Sequence, residues 1–204
     1  MDKLKLFKAA GGMKWEDRYR KWKEGKAGRA WFTPEIKVRD SDIEQSLKEF
    51  DLKGKCVLDI GTGWGWQAIA LAEKGYQVTA FDTSHTAIEL CKTNAAQRNV
   101  EVDFITADLN FCDFDIQFDW VMDRGCFTTL NEGFHKSYCE KVAKWLKPYG
   151  CFLVKVNSRM GIPYIQTCFE PWFEVATAKP SLFQGGNPGS FTSLYFVMKK
   201  KNPI

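Results

Sequence analysis

The chain has 204 residues, 45% of them hydrophobic and 26% charged, with a formal net charge of +4. That length and balance fit one α/β domain able to bury a core without staples, and they exclude a disordered chain. Seven cysteines, odd in number and with no Cys-x-x-Cys pair, exclude a disulfide framework and give a zinc site no support, so a reducing cytoplasmic setting is expected.

Helical spacing of Trp15, Tyr19 and Trp22 predicts a first helix over 14–23, broken by Gly25 and Gly28 and followed by Trp31-Phe32-Thr33-Pro34. Ser41 with Glu44 has the form of a capping box, opening a second helix that ends near Phe50. From Cys56 the pattern alternates. Strands are predicted at 56–60, 77–81, 102–106, 120–122 and 151–156, and helices at 67–74, 84–98 and 133–146. The 84–98 helix takes Thr83 or Ser84 as its cap. Pro148 and Gly150 stop the helix before the fifth strand. Two last strands, 173–177 and 193–198, flank a Gly/Pro-rich loop too short to hold a helix. The expected fold is α/β, a Rossmann-like doubly wound and mostly parallel seven-stranded sheet with an antiparallel C-terminal edge hairpin. One domain over 1–204 is expected, with 1–40 as an N-terminal lid and 41–204 as the core.

The strongest motif is Asp59-Ile60-Gly61-Thr62-Gly63-Trp64-Gly65-Trp66, where a strand runs through glycines into a helix. Glycines there allow a tight turn and close approach of a ligand beyond the carboxyl end of the strand. A dinucleotide loop needs a third glycine where this chain has Trp66, whose bulk crowds the helix packing. The pattern Asp-x-Gly-x-Gly-x-Gly instead resembles motif I of class I S-adenosylmethionine (AdoMet) dependent methyltransferases. That resemblance implies AdoMet as cofactor. It assigns Asp82 to the ribose hydroxyls, Asp108 to the adenine amino group, and Asp123 to the edge of the reaction site. Trp22, Asp59, Gly61, Thr62, Gly63, Thr83 and Leu109 complete the expected cofactor set.

The run Asp123-Arg124-Gly125 with the later Asn131, Gly133 and Tyr138 resembles the thiopurine S-methyltransferase and thiol/halide methyltransferase family. The opening aromatic segment, 15–32, is similar to that family's cofactor-covering segment. Gly161-Ile162-Pro163-Tyr164 departs from the Gly-Pro-Pro-Phe-like turn found there, so the substrate does not transfer with the likeness. An Asn/Asp-Pro-Pro-aromatic turn, typical of enzymes that methylate amines of bases, is replaced here by Asp123-Arg124-Gly125-Cys126-Phe127.

The expected activity is direct in-line methyl transfer to a small molecule, a thiol or similar soft nucleophile, since no base stands out in the motifs and a thiol ionises with little help. The alternatives are a halide, metalloid, natural-product hydroxyl or protein side chain as acceptor, a nicotinamide oxidoreductase, or a non-catalytic AdoMet-binding subunit. Asp123 and Arg124 are the expected catalytic pair. Trp31, Phe32, Arg124, Phe127 and His135 are expected to line the substrate pocket, although His85 and His135 each also read as helix-surface residues. No metal, membrane or nucleic-acid partner is expected, and the sequence sets no oligomeric state.

Overall fold

A computed structural model describes residues 12–26, 41–50, 56–182 and 192–201. Helix α1 spans Gly12–Lys23 and α2 spans Ser41–Glu49. There follow β1 (Cys56–Ile60), α3 (Trp66–Ala72), β2 (Gln77–Asp82), α4 (His85–Arg98), β3 (Asp103–Thr106) and β4 (Phe118–Arg124). Short α5 (Cys126–Thr129) leads to α6 (His135–Trp145), β5 (Leu146–Asn157), α7 (Ile162–Phe169), β6 (Phe173–Leu182) and β7 (Thr192–Lys200).

The seven strands form one sheet in the order β3-β2-β1-β4-β5-β7-β6. The first five pair in parallel and β7 pairs antiparallel with both β5 and β6, as the alternating pattern and the helix-free last connection require. The strand order reverses at β1 and β4, and such sheets bind ligands beyond the carboxyl ends at that switch.

Alternating side chains give the sheet two apolar faces. On one, Val57, Trp120, Met122, Leu153 and Val197 pack under Ile43 of α2 and Ala68 and Leu71 of α3. On the other, Leu58, Val121, Phe152, Val154 and Phe196 pack under Tyr138 and Val142 of α6 and Phe169 of α7. Phe127, expected to line the substrate pocket, belongs to this second core. It is fully buried between His135, Tyr138 and Phe169.

Several boundaries shift from the predicted ones. Ser84, one of the two predicted caps, does cap α4, its hydroxyl accepting from Ala87 N. Helix α6 ends at Trp145, and Pro148 and Gly150 belong to β5 at an irregularity between the Phe118–Leu146 and Trp120–Cys151 pairs. Tyr149 adopts φ 62° there, and a Cβ on Gly150 would meet Asp119 O at 3.1 Å and Lys147 O at 2.9 Å. Residues 31–34 and the 185–189 loop lie outside the described residues, so the Trp31 and Phe32 assignments do too. Helices α5 and α7 have no counterpart in the prediction.

Candidate active site

The glycine loop is shaped by its own backbone and by two strand-end carboxylates. Gly61, Gly63 and Gly65 all take positive φ, and Thr62 N donates to Phe81 O at 3.0 Å, tying the loop to β2. A Cβ on Gly61 would lie 2.8 Å from Cys126 Cβ, and one on Gly63 would lie 2.9 Å from Tyr19 Oη. Glycine is required at both places by conformation and by space. Asp59 accepts from Thr62 Oγ1 at 2.6 Å. Asp82 accepts from Gly63 N at 3.0 Å and from Ser84 N at 2.9 Å, so one carboxylate links the loop to the start of α4.

Asp108 lies two residues beyond the end of β3, in a turn where its Oδ1 accepts from the backbone and side-chain nitrogens of Asn110. Its Oδ2 is buried with no partner, and so is the hydroxyl of Thr83. Buried polar atoms are costly when unpaired. Both stand at the carboxyl edge of the sheet, where the cofactor's base and sugar are expected. Leu109 is part of the core beneath them.

Helix α1 packs over this loop. Glu16 accepts from Ser84 Oγ at 2.6 Å, from Thr86 Oγ1 at 2.5 Å and from Thr86 N at 3.2 Å. One turn later Tyr19 is buried against Gly63, and Trp22 meets the Trp64 ring edge-on with centroids 4.1 Å apart. Sequence reasoning placed Trp22 here but missed Glu16, Tyr19, Trp64 and Cys126. The spacing of Glu16 and Tyr19 with Trp22 along one helix was the signal that would have found two of them.

The expected Asp123–Arg124 pair is corrected by the pleat. Adjacent residues of a strand point to opposite faces. Asp123 turns toward α6, accepting from Cys126 N at 2.7 Å, Phe127 N at 2.8 Å and Tyr138 Oη at 2.5 Å. Arg124 has the parity of Trp120 and Met122, on the α2 face, where its charge favours the ionised form of Asp59. The two do not act side by side.

His135 is also corrected, from a helix-surface residue to a buried one. The 3-10 turn Glu132–Phe134 feeds the chain into α6 so that His135 stacks on Phe127 at 4.1 Å and its Nδ1 bonds Tyr164 Oη at 2.7 Å. Burial lowers its pKa. His85, in contrast, is exposed.

Burial dominates the charges at the edge. It raises the Asp59 carboxyl to about 7, and those of Asp82 and Asp123 to about 6, against the hydrogen bonds that favour their ionised forms. Among the described residues no cluster of side chains suited to a metal ion is found, and no helix is long and apolar enough to cross a membrane. A cavity of about 660 Å³ opens at the opposite edge of the sheet, lined by Cys56, Gln77 and Asp103 where β1, β2 and β3 begin, and it takes no part in this site.

Glycine loop and strand order together give the fold of class I AdoMet-dependent methyltransferases. Residues 57–150 match a family described as a methyltransferase domain. The chain is 31% identical over 109 residues to a 2-heptyl-1-hydroxyquinolin-4(1H)-one methyltransferase of Mycobacteroides abscessus, covering 52% of this chain and 48% of that protein. It is 28% identical over 104 residues to a ubiquinone biosynthesis O-methyltransferase of Rickettsia akari, covering 50% and 40%. The chain thus spans about half the length of these relatives or less. Its fold resembles that of magnesium protoporphyrin IX methyltransferase from Synechocystis PCC 6803 with bound S-adenosylhomocysteine (AdoHcy), with TM-score 0.70 and 14% identity over 93% of this chain and 99% of that one.

Proposed function

We propose that the protein transfers the methyl group of AdoMet to a small molecule, and that the acceptor is a thiol or a comparably soft nucleophile. AdoMet supplies an activated methyl group, so the chain's task is to hold donor and acceptor in line and exclude water. Asp82 would hold the ribose, Asp108 and Thr83 the base and sugar through their unpartnered buried oxygens, and the Gly61–Gly63 backbone the remainder. Tyr19 and Trp22, fixed by Glu16, would shield the loop from water.

The observation that carries the thiol reading is how the two candidate bases are engaged. Asp123 gives both oxygens to three donors, and His135 stacks on Phe127 with Nδ1 on Tyr164 and its unpartnered Nε2 closed off by burial. A hydroxyl or amine acceptor needs a placed base, whereas a thiol reaches its thiolate near neutral pH. Sulfur then attacks the methyl carbon, the sulfonium carbon–sulfur bond breaks, and its electron pair remains on the departing sulfur. The thiol proton has already left to solvent.

The test is AdoHcy formation with matched thiol, phenol, amine and halide acceptors. Turnover confined to thiols is expected. Faster turnover of phenols or amines would overturn the acceptor class and call for a base at the site, with Asp123 and His135 the candidates.

A further inference from the structure

Three carboxylates close neighbouring strands where the strand order reverses. Asp59 of β1, Asp82 of β2 and Asp123 of β4 are buried, with 4%, 7% and 2% of each residue exposed. In register Asp59 lies opposite Ala80 and Met122, so Asp82 and Asp123 stand just beyond it on either side. Their hydrogen bonding is unequal. Asp123 takes Cys126 N, Phe127 N and Tyr138 Oη, and Asp82 takes Gly63 N and Ser84 N. For Asp59 the described residues supply Thr62 Oγ1, at 2.6 Å, as its side-chain donor.

The charges around Asp59 are largely of its own sign. Asp123 and Asp82 oppose its ionisation, and Arg124, which has further interactions of its own, favours it. Glu16 of α1, with His85 beside it, opposes ionisation of Asp82. Beyond β3, Lys141 of α6 donates to the carbonyls of Asn110 and Cys112, next to Asp108. Tyr19, Cys91 and Tyr138, which pack against these acids, are pushed up by burial and stay neutral. The Cys126 thiol reports the sum. Its Sγ lies 3.0 Å from where a Cβ on Gly61 would stand. Loss of water, with the charges of Asp123, Asp82, Asp59 and Asp108, holds it well above the ordinary thiol value. The first glycine of the loop thus lies in a field set by four acids.

We infer that Asp59 is the charge sensor of the cofactor site, losing its proton when the sulfonium of AdoMet enters this ring of acids and keeping it when the neutral thioether of AdoHcy does. The inference rests on the AdoMet-binding reading above and not on the acceptor class. AdoMet and AdoHcy differ by one methyl group and one positive charge, so the contacts they share cancel in the comparison. An opposite charge within about 4–6 Å favours an ionised carboxylate. Asp59, with one donor and two like charges beside it, is raised to about 7, the highest of the three, and so has a proton to lose near neutral pH. That proton passes to solvent as the cation binds and is taken back from solvent once the methyl group has gone. The chain therefore holds the donor more tightly than the product.

The test is calorimetric titration with AdoMet and with AdoHcy at pH 6.5, repeated in buffers of different ionisation enthalpy to count protons. A group with a value near 7 is about three-quarters protonated there, so AdoMet should release about half a proton or more beyond AdoHcy. The ratio of AdoMet to AdoHcy affinity should rise about tenfold between pH 5.5 and 7.0, below the range where a free α-amino group titrates. Asp59→Asn still accepts from Thr62 but has no proton to lose, so the two counts should become equal and the ratio flat. Thr62→Ala takes away the donor that favours the ionised form and should raise the AdoMet count at pH 6.5. Equal counts in the unaltered protein overturn the sensor while leaving AdoMet binding in place. A difference that survives Asp59→Asn, or a count unmoved by Thr62→Ala, overturns the assignment to Asp59. Binding of neither ligand would instead overturn the cofactor reading on which the sensor rests.

Discussion

Lys155 of β5 is fully buried with its Nζ 2.9 Å from Asp42 Oδ2 of α2, and replacing it by Met tests whether that ion pair holds helix to sheet. Methionine fills nearly the same volume without an ammonium, so the change removes the ion pair and opens no large cavity. Breaking a fully buried pair costs about 3–5 kcal/mol, largely because the remaining charge is left uncompensated. Here Asp42 keeps Lys179 at 3.1 Å and the Ser181 hydroxyl, and its side chain is 15% exposed. The expected loss is therefore smaller, about 2–3 kcal/mol. For a chain of this length each kcal/mol lowers Tm by about 2–4 °C, so Tm should fall by about 4–12 °C. Urea denaturation of the single variants and of Lys155→Met with Asp42→Asn completes a double-mutant cycle. Removing both partners should recover part of the loss, with a coupling above about 1 kcal/mol. A single-variant effect below about 0.5 kcal/mol, or strict additivity in the double variant, would refute the argument that Asp42 and Lys155 stabilise one another.

Two more predictions concern the site's cover and its carboxylates. Glu16→Ala removes three hydrogen bonds to the start of α4, so amide exchange across Gly12–Lys23 should quicken by about tenfold or more and AdoMet affinity should weaken, because Tyr19 and Trp22 lose their tether. Unchanged exchange would show that the apolar contacts of Tyr19 and Trp22 hold α1 alone. Asp59, Asp82 and Asp123 have folded-state values raised to about 7, 6 and 6 above the ordinary unfolded value of about 3.9. Their stabilising contribution is complete below about pH 4 and is lost as pH rises through 6–7, so the urea midpoint of the ligand-free protein should fall between pH 5 and 7.5. His135, its pKa lowered by burial, acts in the opposite sense but is one group against three. A midpoint that rises over that interval would contradict the assignment of these three groups as buried acids.

The fold was legible because its signals are periodic and local. Short apolar runs between helical patterns marked the five parallel strands, and the short last connection marked the antiparallel edge. Two short helices were not legible. Helix α5 is four residues long and is organised by Asp123, whose carboxylate takes the amides of Cys126 and Phe127. Helix α7 carries its one clear start signal, Pro163 in the first turn, and was passed over because Gly161-Ile162-Pro163 reads as a turn. The acids expected to hold the cofactor were legible as residues at or near the ends of successive strands. Which face each acid serves was not, because that depends on sheet register and on what each helix brings. Asp123 and Arg124, adjacent in sequence and divided by the pleat, are the example, and His135, turned inward by the 3-10 turn before it, is another.

The central claim is that the glycine loop with Asp82 and Asp108 is an AdoMet site, and calorimetric titration with AdoMet, AdoHcy and NADH tests it most directly. Binding of AdoMet and AdoHcy, no binding of NADH, and a loss of about tenfold or more in AdoMet affinity on Asp82→Ala are predicted, since hydrogen bonds to a carboxylate contribute about 1.5–3 kcal/mol each. NADH binding in preference to AdoMet, or AdoMet binding indifferent to Asp82→Ala, would contradict the account.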